Sequence, residues 1–151
     1  MAGWWMVATA AMFANPAGVG GKIENFSLQD FRGKPTALAE SAGKKAVVVV
    51  FLGTECPLAR LYAPRLQALA EKFGPRGVAF LAIDSNRQDS MTELAAFARS
   101  HGLTFPLLKD PGNVVADQFG ARRTPEVFLL DADRAVRYRG RIDDQYGLGK
   151  T

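Results

Sequence analysis

From Lys22 onward the spacing of apolar residues changes along the chain, and each change marks an element. Ile23–Leu28 alternates apolar and polar positions and leads into Gln29-Asp30-Phe31-Arg32-Gly33-Lys34, a short strand entering a turn. Lys45–Leu52 (KAVVVVFL) is an unbroken β-branched run, the pattern of a strand covered on both faces. Leu58, Leu61, Tyr62, Leu66, Leu69 and Phe73 follow near helical spacing, which predicts a helix over Pro57–Phe73. Pro64 falls inside that helix and, lacking an N–H to donate, is expected to kink it. Gly77–Asp84 (GVAFLAID) predicts a second buried strand. Ser90-Met91-Thr92-Glu93 has the spacing of a capping box, so a helix opens there and runs to about His101, with Gly102 as its stop. Phe105–Leu108 reads as a short strand and Asn113–Phe119 as a short helix closed by Gly120. Glu126–Asp131 and Ala135–Ile142 pair around an Asp-Ala-Asp-Arg turn. Strands alternating with crossover helices imply an α/β fold with a mostly parallel sheet, and the closing pair adds an antiparallel edge.

A chain of 151 residues is one domain's worth, and its 48% hydrophobic and 23% charged residues are ordinary for a globular protein. That balance excludes a disordered tail, a collagen-like fibre and a multi-span membrane protein. A single cysteine excludes a disulfide within this sequence, and one cysteine with one histidine argues against a zinc site. The net charge of +4 is not read as a nucleic-acid footprint, because no Lys/Arg run is interleaved with aromatics.

Residues 1–21 are a different kind of sequence. No charged side chain precedes Lys22, and Gly3–Ala14 is as long as the apolar region of an export signal and too short to span a bilayer. Small residues follow it (Ala14, Ala17, Gly18), but no Lys or Arg precedes it. The segment therefore reads as an export leader that places the protein on the periplasmic or extracellular side, with a misplaced start or an apolar arm packed on the domain as alternatives. The folded domain is taken as residues 22–151.

Cys56 is the residue with the strongest intrinsic chemistry. It follows the buried strand after a Gly53-Thr54-Glu55 turn, and Pro57 next to it suits the first position of a helix. Cys56 is therefore expected at a helix N-cap, at the carboxyl end of a central strand, where open α/β sheets hold their ligands. The free N–H groups and dipole of a helix end favour thiolate over thiol. Arg60, one turn along, adds to this effect, and Glu55 opposes it.

Four segments, in order, carry a family resemblance. Phe51-Leu-Gly-Thr-Glu-Cys-Pro-Leu-Ala59 resembles the active-site segment of thioredoxin-like proteins, and more closely that of their AhpC/TSA, peroxiredoxin-like redoxin branch. Phe26-Ser-Leu-Gln-Asp-Phe-Arg-Gly-Lys34 resembles the branch's F-x-L-x-D-x-x-G-K. Pro64 falls where the family's first active-site helix commonly holds a proline, and Thr124-Pro125-Glu-Val-Phe-Leu-Leu-Asp131 resembles the loop whose cis proline lies against the cysteine. The resemblance spans residues 22–142. It implies a thioredoxin-like mixed sheet with flanking helices, a cis Thr124–Pro125 bond and thiol redox chemistry.

The departures are as informative. The second cysteine of Cys-x-x-Cys falls on Ala59, and the buried carboxylate that many thioredoxins keep on the preceding strand falls on Val50. A self-contained dithiol cycle is thereby excluded. Against the peroxiredoxin pattern, Gly53 stands three before Cys56, Thr54 comes one place late, Val49 takes the proline position and Pro125 that of the downstream arginine, with Arg122 and Arg123 displaced from it. The resulting expectation is a monothiol redoxin without cofactor or metal. Cys56 attacks a disulfide or peroxide, an external thiol or partner protein resolves the product, and Thr54, Thr124 and Pro125 shape the cleft. The competing expectation is a redox-inert domain that uses the cleft to bind an extended partner segment.

The remaining features read as structural. His101 at a helix end is expected to serve the helix dipole rather than catalysis. The arginines of 122–141 are interspersed with acids and read as an exposed hairpin, and Asp143-Asp144 as a solvated chain end. After Ile142 only DDQYGLGKT remains, which predicts a poorly packed 143–151 segment and an uncovered sheet face at Val127, Phe128, Leu129 and Leu130. A dimer mate, the leader folding back, or a segment outside this sequence would cover it.

Overall fold

The computed structural model describes residues 16–143. Seven strands form one mixed sheet: β1 (Ser27–Asp30), β2 (Pro35–Ala37), β3 (Ala46–Leu52), β4 (Val78–Asp84), β5 (Leu107–Lys109), β6 (Glu126–Asp131) and β7 (Val136–Gly140). Their order across the sheet is β2-β1-β5-β4-β3-β6-β7. The centre, β3, β4 and β5, is parallel, as the crossover helices require, but the β1–β2, β1–β5, β3–β6 and β6–β7 pairings are antiparallel, so the sheet is mixed rather than the mostly parallel one expected. β6 runs antiparallel to β3 from Ala46↔Asp131 to Phe51↔Glu126, and β7 antiparallel to β6. The first strand is displaced from the predicted Ile23–Leu28: Ile23 and Phe26 are buried but precede β1, and Lys22 makes only an isolated bridge to Ala135.

Among the described residues three α-helices cover the sheet: α1 (Pro57–Phe73), α2 (Met91–Ser100) and α3 (Val114–Phe119). On one face α1 and α2 pack Ala59, Ala63, Leu66, Leu94 and Phe97 against Val50, Leu52 and Phe80. On the other, Phe119 of α3 sits edge-on to Phe51 and Phe128, with ring centroids 5.4 and 5.0 Å away. The capping box is present as predicted: Ser90 Oγ accepts from Glu93 N and Ser90 N donates to Glu93 Oε2. α1 runs through Pro64 without a break, and Leu61, read as part of its apolar stripe, is 69% exposed. His101 caps α2, its Nδ1 2.9 Å from Phe97 O.

The closing strands answer the expectation of an uncovered face in part. Phe128 and Leu130 are fully buried under α3 and its neighbours. Val127 and Leu129 are half-buried and open onto an apolar groove of about 360 Å³ floored by Val48, Leu66 and Phe80. Residues 16–21 are tied to the fold: Ala17 packs on the core and donates to Gln118 O, and Gly20 N donates to Val136 O. Asp143 is held rather than solvated, accepting from Tyr62 OH at 2.6 Å and pairing with Arg65 at 2.8 Å. The leader's first fifteen residues and residues 144–151, Asp144 included, lie outside the described residues. No helix of the described residues is long and apolar enough to cross a membrane.

Candidate active site around Cys56

β3 ends at Leu52, and the chain turns at once. The Gly53–Cys56 turn is closed by Cys56 N donating to Gly53 O at 3.1 Å, and Cys56, in extended backbone, is the N-cap of α1. Pro57 stands at the first helical position, where its missing N–H costs nothing. No side chain caps this end, so the first-turn N–H groups of α1 have no side-chain partner.

The loop before β6 meets this turn from the neighbouring strand. The Thr124–Pro125 bond is cis, and Cys56 Sγ lies 3.2 Å from Thr124 O, the contact of a thiol donating to a carbonyl. Pro125 is buried and Cys56 half-buried. β3 and β6 are adjacent, so residues 68 positions apart in sequence meet at one end of the sheet.

Arg60 braces the turn: its Nε donates to Thr54 O at 2.8 Å and its Nη2 to Glu55 Oε1 at 3.3 Å. Thr54 is buried, and its N–H donates to Asp89 Oδ2 at 3.0 Å. The structure thus gathers Cys56, Thr124 and Pro125 at one point and sets Thr54 and Arg60 in the scaffold of the turn.

Two clefts adjoin the turn and the loop. One, of about 350 Å³, is lined by Ser85, Asn86, Arg122, Arg123 and Thr124. The other, of about 490 Å³, lies against Thr54, Glu55, Arg60 and Glu93.

The AhpC/TSA family profile matches residues 19–139, most of the chain and the whole of this site. The chain belongs to the AhpC/TSA family. Thiol-disulfide oxidoreductase ResA of Halalkalibacterium halodurans is 31% identical over 115 residues, covering 76% of this chain and 64% of the relative. This AhpC/TSA chain therefore spans a little under two thirds of that relative's length. Chloroplastic peroxiredoxin Q of Sedum lineare is 32% identical over 135 residues, covering 83% of this chain and 71% of the relative. Among solved structures, a hypothetical protein of Sinorhizobium meliloti superposes with a TM-score of 0.83 at 33% identity, covering 91% of this chain and 78% of that one. The fold class is the thioredoxin-like mixed sheet with flanking helices.

Several residues of this AhpC/TSA site escape a linear reading. β4 ends at Asp84, a buried carboxyl group beside Leu52 of β3. Asp89 holds the turn through Thr54. Glu126, directly after the cis proline, is 1% exposed, accepts from Arg122 N at 2.8 Å and pairs with Arg139 Nε at 2.9 Å. One signal was available, an Asp closing an otherwise apolar buried strand in GVAFLAID.

Gly53 is the tightest point. A Cβ there would lie 2.4 Å from Asn86 Nδ2, which is itself held by Asp89 at 3.1 Å. Gly53→Ala is therefore expected to displace Asn86, loosen Asp89 and slow the reaction of Cys56 with a disulfide reagent by on the order of tenfold or more. Stopped-flow measurement of thiol release checks this, and an unchanged rate would show that the packing does not position the sulfur.

Proposed function

We propose that this protein is a monothiol redoxin, acting on disulfide or peroxide substrates through Cys56 with an external thiol as resolving partner. The observation that carries the reading is the meeting of Cys56, at the N-terminus of α1, with Thr124 O of the cis-proline loop. An extended substrate lying along that loop brings a sulfur to Sγ with its backbone beside Thr124. Family membership, with a thiol-disulfide oxidoreductase and a peroxiredoxin among the relatives, supports the same class of chemistry.

With a disulfide, the Cys56 thiolate attacks one sulfur, a bond forms between Sγ and that sulfur, and the other sulfur leaves as thiolate. An external thiolate then attacks the mixed disulfide and returns Cys56 with its electron pair; a second external thiol completes the two-electron reduction. With a peroxide, Sγ takes the terminal oxygen, an alcohol or water leaves after protonation, and the sulfenic acid is condensed by thiol to the same mixed disulfide. Ala59, buried in α1 at the place of a second cysteine, supports resolution from outside the chain. Thr54, Thr124 and Pro125 shape the cleft, and Arg60 keeps a cation one turn from the sulfur while fixing Thr54. We infer an exported location from the apolar Gly3–Ala14 segment.

The test is trapping and turnover with the full chain. Glutathione disulfide should leave one glutathionyl adduct on Cys56, detected by mass spectrometry, and added thiol should release it catalytically. Absence of the adduct and of turnover with either disulfide or hydroperoxide would leave the redox-inert binding domain as the reading.

A further inference from the structure

Beneath the Cys56 turn lies a buried acidic pair that thiol chemistry alone does not require. Asp84 is 1% exposed and Asp89 2%. Asp84 Oδ1 accepts from Lys109 Nζ and from Asn86 N, both at 2.9 Å. Asp84 Oδ2 is buried and reached by no N–H or hydroxyl donor among the described residues. Asp89 Oδ2 accepts from Thr54 N and Asn86 Nδ2 at 3.0 and 3.1 Å. Asn86 joins the two carboxyls, its backbone N–H on Asp84 Oδ1 and its side-chain amide on Asp89 Oδ2, so they lie side by side, and each shifts the titration of the other. Two carboxyl oxygens can share a hydrogen bond only when one carries a proton. One proton also balances the charge: Asp89 carboxylate, Asp84 acid and the Lys109 ammonium sum to zero, as burial demands.

We propose that Asp84 and Asp89 form an acid–carboxylate pair that shares one buried proton and fixes the Gly53–Cys56 turn through Thr54 N–H, which makes both of them positioning residues for Cys56. Asp84 is the donor, because its second oxygen has no other use. Asp89 is the acceptor, because two further donors, Thr54 N and Asn86 Nδ2, point at one of its oxygens. The role assigned for Cys56 rests on the thiol redox reading above; the shared proton does not.

The electrostatics agree in direction. Burial, then the neighbouring Asp89, pushes Asp84 up to about 7, against the pull of Lys109. Burial alone would raise Asp89, but the neighbouring Asp84, the Thr54 N–H and the Asn86 amide together hold it below the ordinary aspartate value. The other charged groups nearby are accounted for. Glu93 of α2 is engaged with Ser90. Asp110, after β5, is taken up by Ser85 Oγ and by the N–H groups of Val115 and Ala116. Lys109 of β5 is the cation that faces the pair.

Loss of the proton above neutral pH sets two carboxylates side by side beneath the turn, and the turn is what holds the sulfur. Stability follows the same sign. The fold keeps a proton on Asp84 at pH values where the unfolded chain has released it, so the contribution is full below about 3.8 and is lost as pH rises through about 7.

The test uses the full-length chain and the variants Asp84→Asn and Asp89→Ala. The amide introduced by Asp84→Asn can accept from Lys109 and Asn86 and donate to Asp89, so this variant imitates the protonated state at every pH. In the wild type, infrared difference spectra should contain a carboxylic-acid carbonyl band that disappears as pH rises through about 7. The band should be missing in Asp84→Asn and should vanish at lower pH in Asp89→Ala. The rate of Cys56 with a small aromatic disulfide should have an inflection near that pH in the wild type and none there in Asp84→Asn. Asp89→Ala should change this rate on the order of tenfold at all pH values. Thermal melts should lose stability from pH 5 to pH 8 in the wild type and hold level in Asp84→Asn. A band that is absent from the wild type or retained in Asp84→Asn overturns the shared proton. A Cys56 rate untouched by both variants overturns the positioning role. These readouts need no catalytic turnover, so a chain with the band and the inflection but no turnover loses only its proposed function. Turnover without the band loses only the pair.

Discussion

On the proposed monothiol redoxin function, Cys56→Ser is expected to abolish disulfide and peroxide turnover while leaving the fold intact. Sulfur is the only nucleophile at the N-cap, and a serine hydroxyl is neither ionised at neutral pH nor able to form a disulfide. The loss should be a thousandfold or more, roughly the scale on which removal of a covalent nucleophile acts. The cost in stability should stay within about 0.5 kcal/mol, because Cys56 is half-buried and serine can also donate to Thr124 O. An activity assay beside a thermal melt separates the two effects. Residual turnover within tenfold of wild type would mean that the chemistry sits elsewhere, and a collapsed melt would mean that the cysteine is a packing residue.

The site's core was legible because its signals are local. A β-branched run, a three-residue turn and Cys-Pro specify strand, turn and helix N-cap by themselves, and β3 and α1 appear almost where the sequence puts them. The thioredoxin-like arrangement and the cis proline were reached through the ordered motifs, since neither strand order nor an isomer follows from periodicity. Ile23–Leu28 misled because Ile23 and Phe26 are buried in the core on the α3 side ahead of β1, and only Ser27 and Leu28 of the segment enter the sheet: alternation reports which side is covered, not which backbone groups are paired. Leu61 misled in the opposite way, being apolar at helical spacing yet turned to solvent. The carboxylates were the largest omission. Asp84, Asp89 and Glu126 look like surface acids in the sequence, and only the tertiary structure, through Lys109 and Arg139 from distant strands, makes burial tolerable. Asp143 was misjudged for the same reason, since Tyr62 and Arg65 reach it from α1 across the end of β7.

Arg139→Ala is expected to be the most destabilising of the charge substitutions on β7. Arg139 Nε donates to Glu126 Oε1 at 2.9 Å, another of its guanidinium nitrogens donates to Gly120 O, and its guanidinium lies 5.3 Å above the Phe128 ring. Removing it leaves the Glu126 carboxylate buried with Arg122 N as its one remaining hydrogen-bond donor. Breaking a buried pair from one side costs about 3–5 kcal/mol, where an exposed pair is worth about 0–1 kcal/mol. For a domain of this size the melting temperature should fall by roughly 6–20 °C. Arg137, two residues earlier on the same strand, supplies the control: it pairs with Asp131 at 2.6 Å but is 64% exposed, so Arg137→Ala should move the melt by little. The loss should also reach the chemistry. Gly120 O and Arg122 N bracket the start of the segment that carries Thr124 to Cys56, and both are held through this one ion pair. Arg139→Ala should therefore slow the reaction of Cys56 with a disulfide at temperatures where the variant is still fully folded. An apolar replacement of both partners, Glu126→Leu with Arg139→Met, should recover part of the stability, because no buried charge remains, but not all of it, because Arg122 N loses its acceptor. Equal melts for Arg139→Ala and Arg137→Ala would overturn the assignment of the Glu126 pair as the brace of the cis-proline loop.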